Sequence, residues 1–154
     1  MGLQSKQTEA LDLLLSNKCK YLLYGGSMAG GKSYLLRWAA LYYSIWLSKT
    51  TGLSGIPIGL FSEDYPTLKD RQISRIVREF PPYLGELRES KEEGFAFFLR
   101  PEYGSGRILL RNLDDPSKYM SSEFAGIFVE ELTRNPEQTF EDLCNRLRYP
   151  GIEQ

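Results

Sequence analysis

The sequence, 154 residues long, contains no histidine. That absence excludes imidazole acid–base catalysis and imidazole metal ligation from anything this chain does by itself. Cysteine is scarce: Cys19 and Cys144 lie far apart and form no C-x-x-C pair, so reduced, structural thiols in a cytosolic setting are expected. Charge of one sign is not in excess. The formal net charge is −1, so no global basic field advertises nucleic acid, which leaves only a local contact open. There is no long hydrophobic run. The most apolar stretch, Leu35 to Leu47, is too short to span a bilayer, carries Arg37, and reads as a buried helix; no membrane association is expected. The first residues, Met1 to Gln7, are polar and do not form a signal peptide. Internal repeats and low-complexity segments are absent as well. The length is that of one domain, and 42% hydrophobic residues, with 13% aromatic, suffice for a core.

What is present is a glycine-rich loop between a short apolar run and a helical pattern. Tyr21 to Tyr24 is apolar, a loop follows, and Lys32-Ser33 opens a helix-like stretch. Gly26, Gly31, Lys32 and Ser33 satisfy G-x-x-x-x-G-K-[ST] without a mismatch, in the strand–loop–helix setting the motif requires. Glycines let the backbone curl so that several N–H groups converge on one anion. The following helix adds the positive end of its dipole. The expected ligand is ATP with Mg²⁺. Its cradle comprises Gly26, Ser27, Met28, Ala29, Gly30, Gly31, Lys32, Ser33 and Tyr34. Lys32 would reach the β- and γ-phosphates, and the Ser33 hydroxyl would ligate the metal.

Ser5 to Leu15 has Ala10, Leu11, Leu14 and Leu15 at helical spacing, with Ser5 as a cap. Tyr21 to Tyr24 is the expected first central strand, and Lys32 to about Ser48 the helix leaving the loop. Thr50 to Gly55 reads as a loop, Ile56 to Phe61 as a strand with Pro57 at its start, and Thr67 to Phe80 as a helix stopped by Pro81-Pro82. Phe95 to Leu99 and Arg107 to Leu113 read as a hairpin around Tyr103-Gly104-Ser105-Gly106. Phe124 to Val129 is the next buried strand, and Pro136 to Leu147 a helix capped by Asn135. Alternating strands and helices predict an α/β fold: a mostly parallel sheet with helices on both faces and an inserted hairpin. Ligands of such sheets sit at the carboxyl ends of the strands, where the glycine loop and the acidic pair Glu130-Glu131 both fall.

That acidic pair supplies what the loop lacks. Glu130 would hold the Mg²⁺-bound water together with Ser33, and Glu131 would position and activate water for in-line attack on the γ-phosphate. Most ATPases of this kind carry Asp at the first position, so the longer Glu130 must retract or the metal geometry shifts. A second carboxylate favours hydrolysis over transfer to a small acceptor.

The order of these parts resembles the ATPase domain of the large terminase subunit of tailed bacteriophages. The resemblance rests on Lys6-Gln7, on Tyr24 to Ser33 as a Walker A loop, and on Asp64-Tyr65-Pro66-Thr67-Leu68-Lys69-Asp70. It continues through Asp114 to Tyr119 leading into Glu123 to Glu131 as a Walker B strand, and the run Asn145-Arg146-Leu147-Arg148. It covers about residues 5 to 150. It implies a P-loop NTPase fold of the RecA/ASCE type over residues 1–154, with Gln7 as the adenine-contacting glutamine. It further implies a ring of subunits acting on double-stranded DNA in the host cytoplasm, with the small terminase subunit and the portal of the procapsid as partners. A nuclease domain would lie beyond residue 154, so the chain reads as a truncated ATPase domain. Met28 stands where many members have an arginine, which removes an in-loop finger. Lys118 is the basic residue ahead of the Walker B strand, with Met120 where some members place a trans-acting arginine.

Arg146 is a candidate γ-phosphate sensor or interface finger; a structural ion pair is the competing reading, and Arg148 points elsewhere on the helix. Arg71, Arg75 and Arg78 share a helix face that reads as solvated, with contact to DNA phosphates or to a neighbouring subunit as the alternative. Tyr42, Tyr43, Trp46, Phe97 and Phe98 read as core. Other P-loop classes remain: a helicase, which needs a second lobe; a small-molecule kinase, which needs an arginine-rich lid this chain does not show; and a nucleotide-binding module without turnover.

Overall fold

Short apolar runs bounded by turn residues form a five-stranded sheet in the computed structural model, which describes residues 31–91, 94–116, 119–120, 122–130 and 137–147 together with Glu9. In chain order these are α1 (Gly31–Thr51), β1 (Pro57–Ser62), α2 (Tyr65–Leu68), a π-helical turn (Lys69–Ile73) and α3 (Ser74–Glu79). Then come β2 (Gly85–Ser90), β3 (Gly94–Leu99), β4 (Arg107–Asn112), β5 (Gly126–Val129) and α4 (Glu137–Arg146). The expected strand Tyr21 to Tyr24 and the Asn135 cap lie outside the described residues. So does the expected helix Ser5 to Leu15, except for Glu9, which is helical.

The strand order is β2-β3-β4-β1-β5. β1 is parallel to both β4 and β5, while β3 is antiparallel to β4 and to β2. Four strands therefore point one way and β3 the other. All six residues of β1 are buried, as a strand covered on both faces requires. Its side chains alternate. Ile58 and Leu60 join the core against α1, α2 and α3 with Trp38, Leu41, Leu68, Ile76 and Phe97. Phe61 turns to the other face, edge-on to Phe124 and Tyr119 in the cluster that includes Leu143 of α4. Fully burying each such side chain contributes roughly 1.5–3 kcal/mol. Helices thus cover both faces. Among the aromatics expected in the core, Phe97 is buried, Tyr43, Trp46 and Phe98 are half-buried, and Tyr42 is exposed.

Element ends differ from the sequence reading for identifiable reasons. α1 runs on through Thr50 and Thr51 because their hydroxyls bond back to the carbonyls of Trp46 and Leu47 instead of unwinding the turn. It stops at Gly52, whose φ of 73° suits the left-handed stop and whose N–H reaches the Ser48 carbonyl. The strand expected from Phe124 begins at Gly126, where a Cβ would come within 2.7 Å of the Tyr43 ring. The helix expected from Thr67 begins at Tyr65, with Asp64 as its cap and Pro66 in its first turn. β2 has no counterpart in the sequence reading. Its residues, Gly-Glu-Leu-Arg-Glu-Ser, are polar and mostly exposed, and it is an edge strand paired only with β3.

α1 and α3 are joined by a part-buried ion pair. Arg37 donates Nε and Nη2 to the two carboxylate oxygens of Glu79 at 3.0 and 2.9 Å, and Trp38 Nε1 adds a third donor at 3.0 Å. Glu79→Ala leaves the guanidinium, 4% exposed, without its anion; we expect a loss of about 3 kcal/mol in urea unfolding. Asp64 supplies a pH-dependent effect of the opposite kind, on the surface. Its Oδ1 accepts from the Thr67 N–H at 2.8 Å, and that bond first, then the Thr67 side chain, holds its carboxyl below its usual value near 3.8. A depressed folded-state pKa contributes stability above about pH 4 that is lost as pH falls through the folded value. The stability deficit of Asp64→Ala, measured by thermal unfolding, should therefore be present at pH 7 and shrink progressively below pH 4.

Candidate functional site

The parallel strands β4, β1 and β5 end together, and strand parity decides what meets there. Phe128 packs on the α1 side with Tyr43, whereas Ile127 and Val129 face the opposite cluster. Glu130, two residues after Phe128, therefore turns toward α1. In β1 the same parity carries from Ile58 and Leu60 to Ser62. The register pairs Phe61 with Val129, so Ser62 stands beside Glu130, and the Glu130 N–H continues the ladder to the Phe61 carbonyl at 3.0 Å.

Glu130 is buried, 6% exposed, and a buried carboxylate needs donors. Among the described residues it has two, from two elements. Ser33 Oγ, in the first turn of α1, donates to Oε1, and Ser62 Oγ donates to Oε2 at 2.8 Å. Residues 33 and 130, separated by most of the chain, thus meet at the N-terminus of a long helix, where its dipole favours negative charge.

Behind Ser33 lies a layer of support. Its backbone carbonyl accepts from Arg37 Nη1 at 3.3 Å and from Gln72 Nε2 at 3.4 Å. Arg37 Nη1 also reaches the Arg71 carbonyl and Gln72 Oε1. Gln72 is fully buried within the π-helical turn, a distortion frequent at functional sites. Tyr34 faces this layer rather than Glu130: its ring lies 6.1 Å from that of Trp38, with the Arg37 guanidinium 5.4 Å over its face. Burial first, then the Glu79 carboxylate, push its phenol above the usual value, so it remains a neutral hydroxyl at physiological pH.

Of the residues singled out in the sequence, the structure brings Ser33 and Glu130 together, with Gly31, Lys32 and Tyr34 in the same helical turn. It does not bring Arg146 there. The Arg146 carbonyl accepts from Phe124 N–H, and its Nη1 donates to the Met120 carbonyl, at the amino end of β5. The six steps from Phe124 to Glu130 separate the two by roughly 20 Å at 3.3 Å per residue. Arg75 and Arg78 are exposed, and Arg71 is half-buried. Gln7, Gly26, Ser27, Met28, Ala29, Gly30, Lys118, Glu131 and Arg148 lie outside the described residues. Ser62, Arg37, Glu79 and Gln72 escaped the sequence reading as site residues. Two of them left a signal: Gln72 is a polar residue on the apolar stripe Leu68, Ile76, Phe80, and Ser62 is the first polar position on the row Ile58, Leu60.

Could this pair hold Mg²⁺? Both donors are hard oxygens, the type this cation takes. Among the described residues no group of three His, Cys, Asp or Glu side chains forms a metal cage.

No protein-family model and no curated protein matches the sequence. Solved structures do match. The chain aligns over 99% of its length with the large terminase of a thermophilic bacteriophage, at a TM-score of 0.75 and 17% identity, covering 38% of that chain. The same protein in complex with ATP-γ-S gives 0.72 at 16% identity, covering 99% of this chain and 36% of that one. Its complex with ADP gives 0.72 at 18%, covering 97% and 37%. The chain spans a little over a third of the large terminase chains it matches. At these identities the likeness is one of fold: the α/β fold of this chain is similar to that of part of a large terminase chain.

Proposed function

We propose that this chain is the ATPase domain of a terminase large subunit, a P-loop motor that hydrolyses ATP with Mg²⁺ to move double-stranded DNA into a procapsid. The observation that carries the proposal is the Ser33–Glu130 hydrogen bond at the carboxyl end of the parallel strands. It joins the last residue of the glycine-rich motif to the first acid of the Glu130-Glu131 pair. Support comes from the fold shared with a large terminase that was crystallised with ATP-γ-S and with ADP.

In this reading, Gly26 to Ser33 cradle the triphosphate and Lys32 neutralises its β- and γ-oxygens. The Ser33 hydroxyl and, through water, Glu130 would hold Mg²⁺, which would supply positive charge to the triphosphate when bound. Glu131 orients a water in line with the γ-phosphorus and takes its proton. Partner roles follow from the family the sequence resembles: neighbouring subunits of a ring, the small subunit and the portal, in the host cytoplasm. Met28 leaves the loop without its own arginine, and Arg146 is tied up at the far end of β5. The positive charge that neutralises the transferring phosphoryl group then comes from Lys118 or from a neighbouring subunit. Such a finger is worth about 10³–10⁵ in rate, so the lone domain turns over slowly.

Steady-state ATP hydrolysis, measured under conditions that promote subunit assembly, tests this. Glu131→Gln should lower turnover about 10²–10⁴-fold while retaining ATP binding. Lys32→Ala should weaken ATP binding as well as turnover. Undiminished hydrolysis in either variant would sink the assignment.

A further inference from the structure

Ser62 is not part of the phosphate motif or of the acidic pair, yet it provides half of the hydrogen bonding that fixes Glu130. Its side chain is fully buried, on the α1-facing row of the central strand, and its hydroxyl donates to Glu130 Oε2 at 2.8 Å. Parallel pairing of β1 with β5 brings it alongside Glu130 without any loop between them.

The geometry also addresses a mismatch in length. A glutamate where an aspartate is usual has one more methylene and one more rotatable bond, and must be folded back to keep its carboxylate at the strand end. Ser33 alone holds one oxygen and leaves the carboxylate free to pivot about it. A second hydroxyl on the other oxygen, from a different and rigid element, removes that pivot.

We propose that Ser62 is a positioning residue for the metal site: it locks the Glu130 carboxylate, with Oε1 on Ser33 and Oε2 on Ser62, in the orientation in which Glu130 would help hold the cation. The assignment rests on the proposed reading of Ser33 and Glu130 as the Mg²⁺ site. Hydroxyls in this outer position commonly tune metal affinity by 10–100-fold.

The test is a Mg²⁺ titration of a fluorescent, non-hydrolysable ATP analogue on the 154-residue chain, followed by anisotropy, with thermal unfolding run in parallel. In Ser62→Ala the Mg²⁺ concentration at half-maximal tightening should rise about ten-fold or more, with metal-free nucleotide affinity unchanged. Ser62→Thr, which keeps the hydroxyl, should restore the wild-type midpoint. In a Glu130→Asp background the shorter side chain cannot span both hydroxyls, so adding Ser62→Ala should shift the midpoint less than about two-fold. Ser62→Cys, of similar size but a weak donor, carries the same test should the alanine variant fail to fold. A Mg²⁺-sensitive wild type with an unchanged midpoint in Ser62→Ala overturns the role of Ser62 alone. A wild type that binds the analogue without any Mg²⁺ dependence overturns the metal-site reading, and this assignment with it.

Discussion

The Glu130 carboxylate is taken out of water at the end of β5, and among the described residues hydroxyls from two other elements satisfy it. That requirement constrains the whole arrangement. β1 has to lie directly beside β5 in parallel register so that Ser62 stands next to Glu130. α1 has to begin at the same end of the sheet so that Ser33 closes the other side. Breaking either neighbour relation would leave a buried charge half-satisfied, which is costlier than losing an ordinary surface contact.

The same logic extends one layer outward. The Ser33 carbonyl, already within the helical ladder, collects donors from Arg37 and Gln72, and Arg37 is anchored on Glu79. The first turn of α1 is thereby tied to the π-helical turn and to α3. A shift of that first turn has to carry Gln72 and Arg37 with it or break their bonds. The exposed face of α2 and α3, with Arg75 and Arg78, is in this way mechanically continuous with the proposed phosphate site.

Much of the architecture was legible beforehand. Apolar runs bounded by glycine and proline located β1, β3, β4 and β5: burial on both faces leaves a strong signature at Ile56 to Phe61, and Phe124 to Val129 is apolar throughout although half-buried from Ile127 on. β2 was not legible: an edge strand whose side chains are mostly exposed can be as polar as Glu86, Arg88 and Glu89. Helix ends were displaced where side chains did what the local composition does not reveal, as at Thr50 and Thr51. The arginine reading divided similarly. Arg146 sits in a run that resembles a family motif, but its position was decided by the pairing of Phe124 with Leu147, which holds it at the amino end of β5.

By itself the sequence determined the glycine-rich motif, the apolar strand ending in Glu130-Glu131, and hence which residue types were available at one end of a sheet. Those are local properties, set by spacing and side-chain chemistry. Only the tertiary structure decided that β1 would lie beside β5, that Ser62 rather than another hydroxyl would complete the Glu130 shell, and that Gln72 and Arg37 would support Ser33. Those outcomes depend on strand order and register. Strand order and register arise from burying two hydrophobic faces at once, a condition on the whole chain that no window of sequence contains.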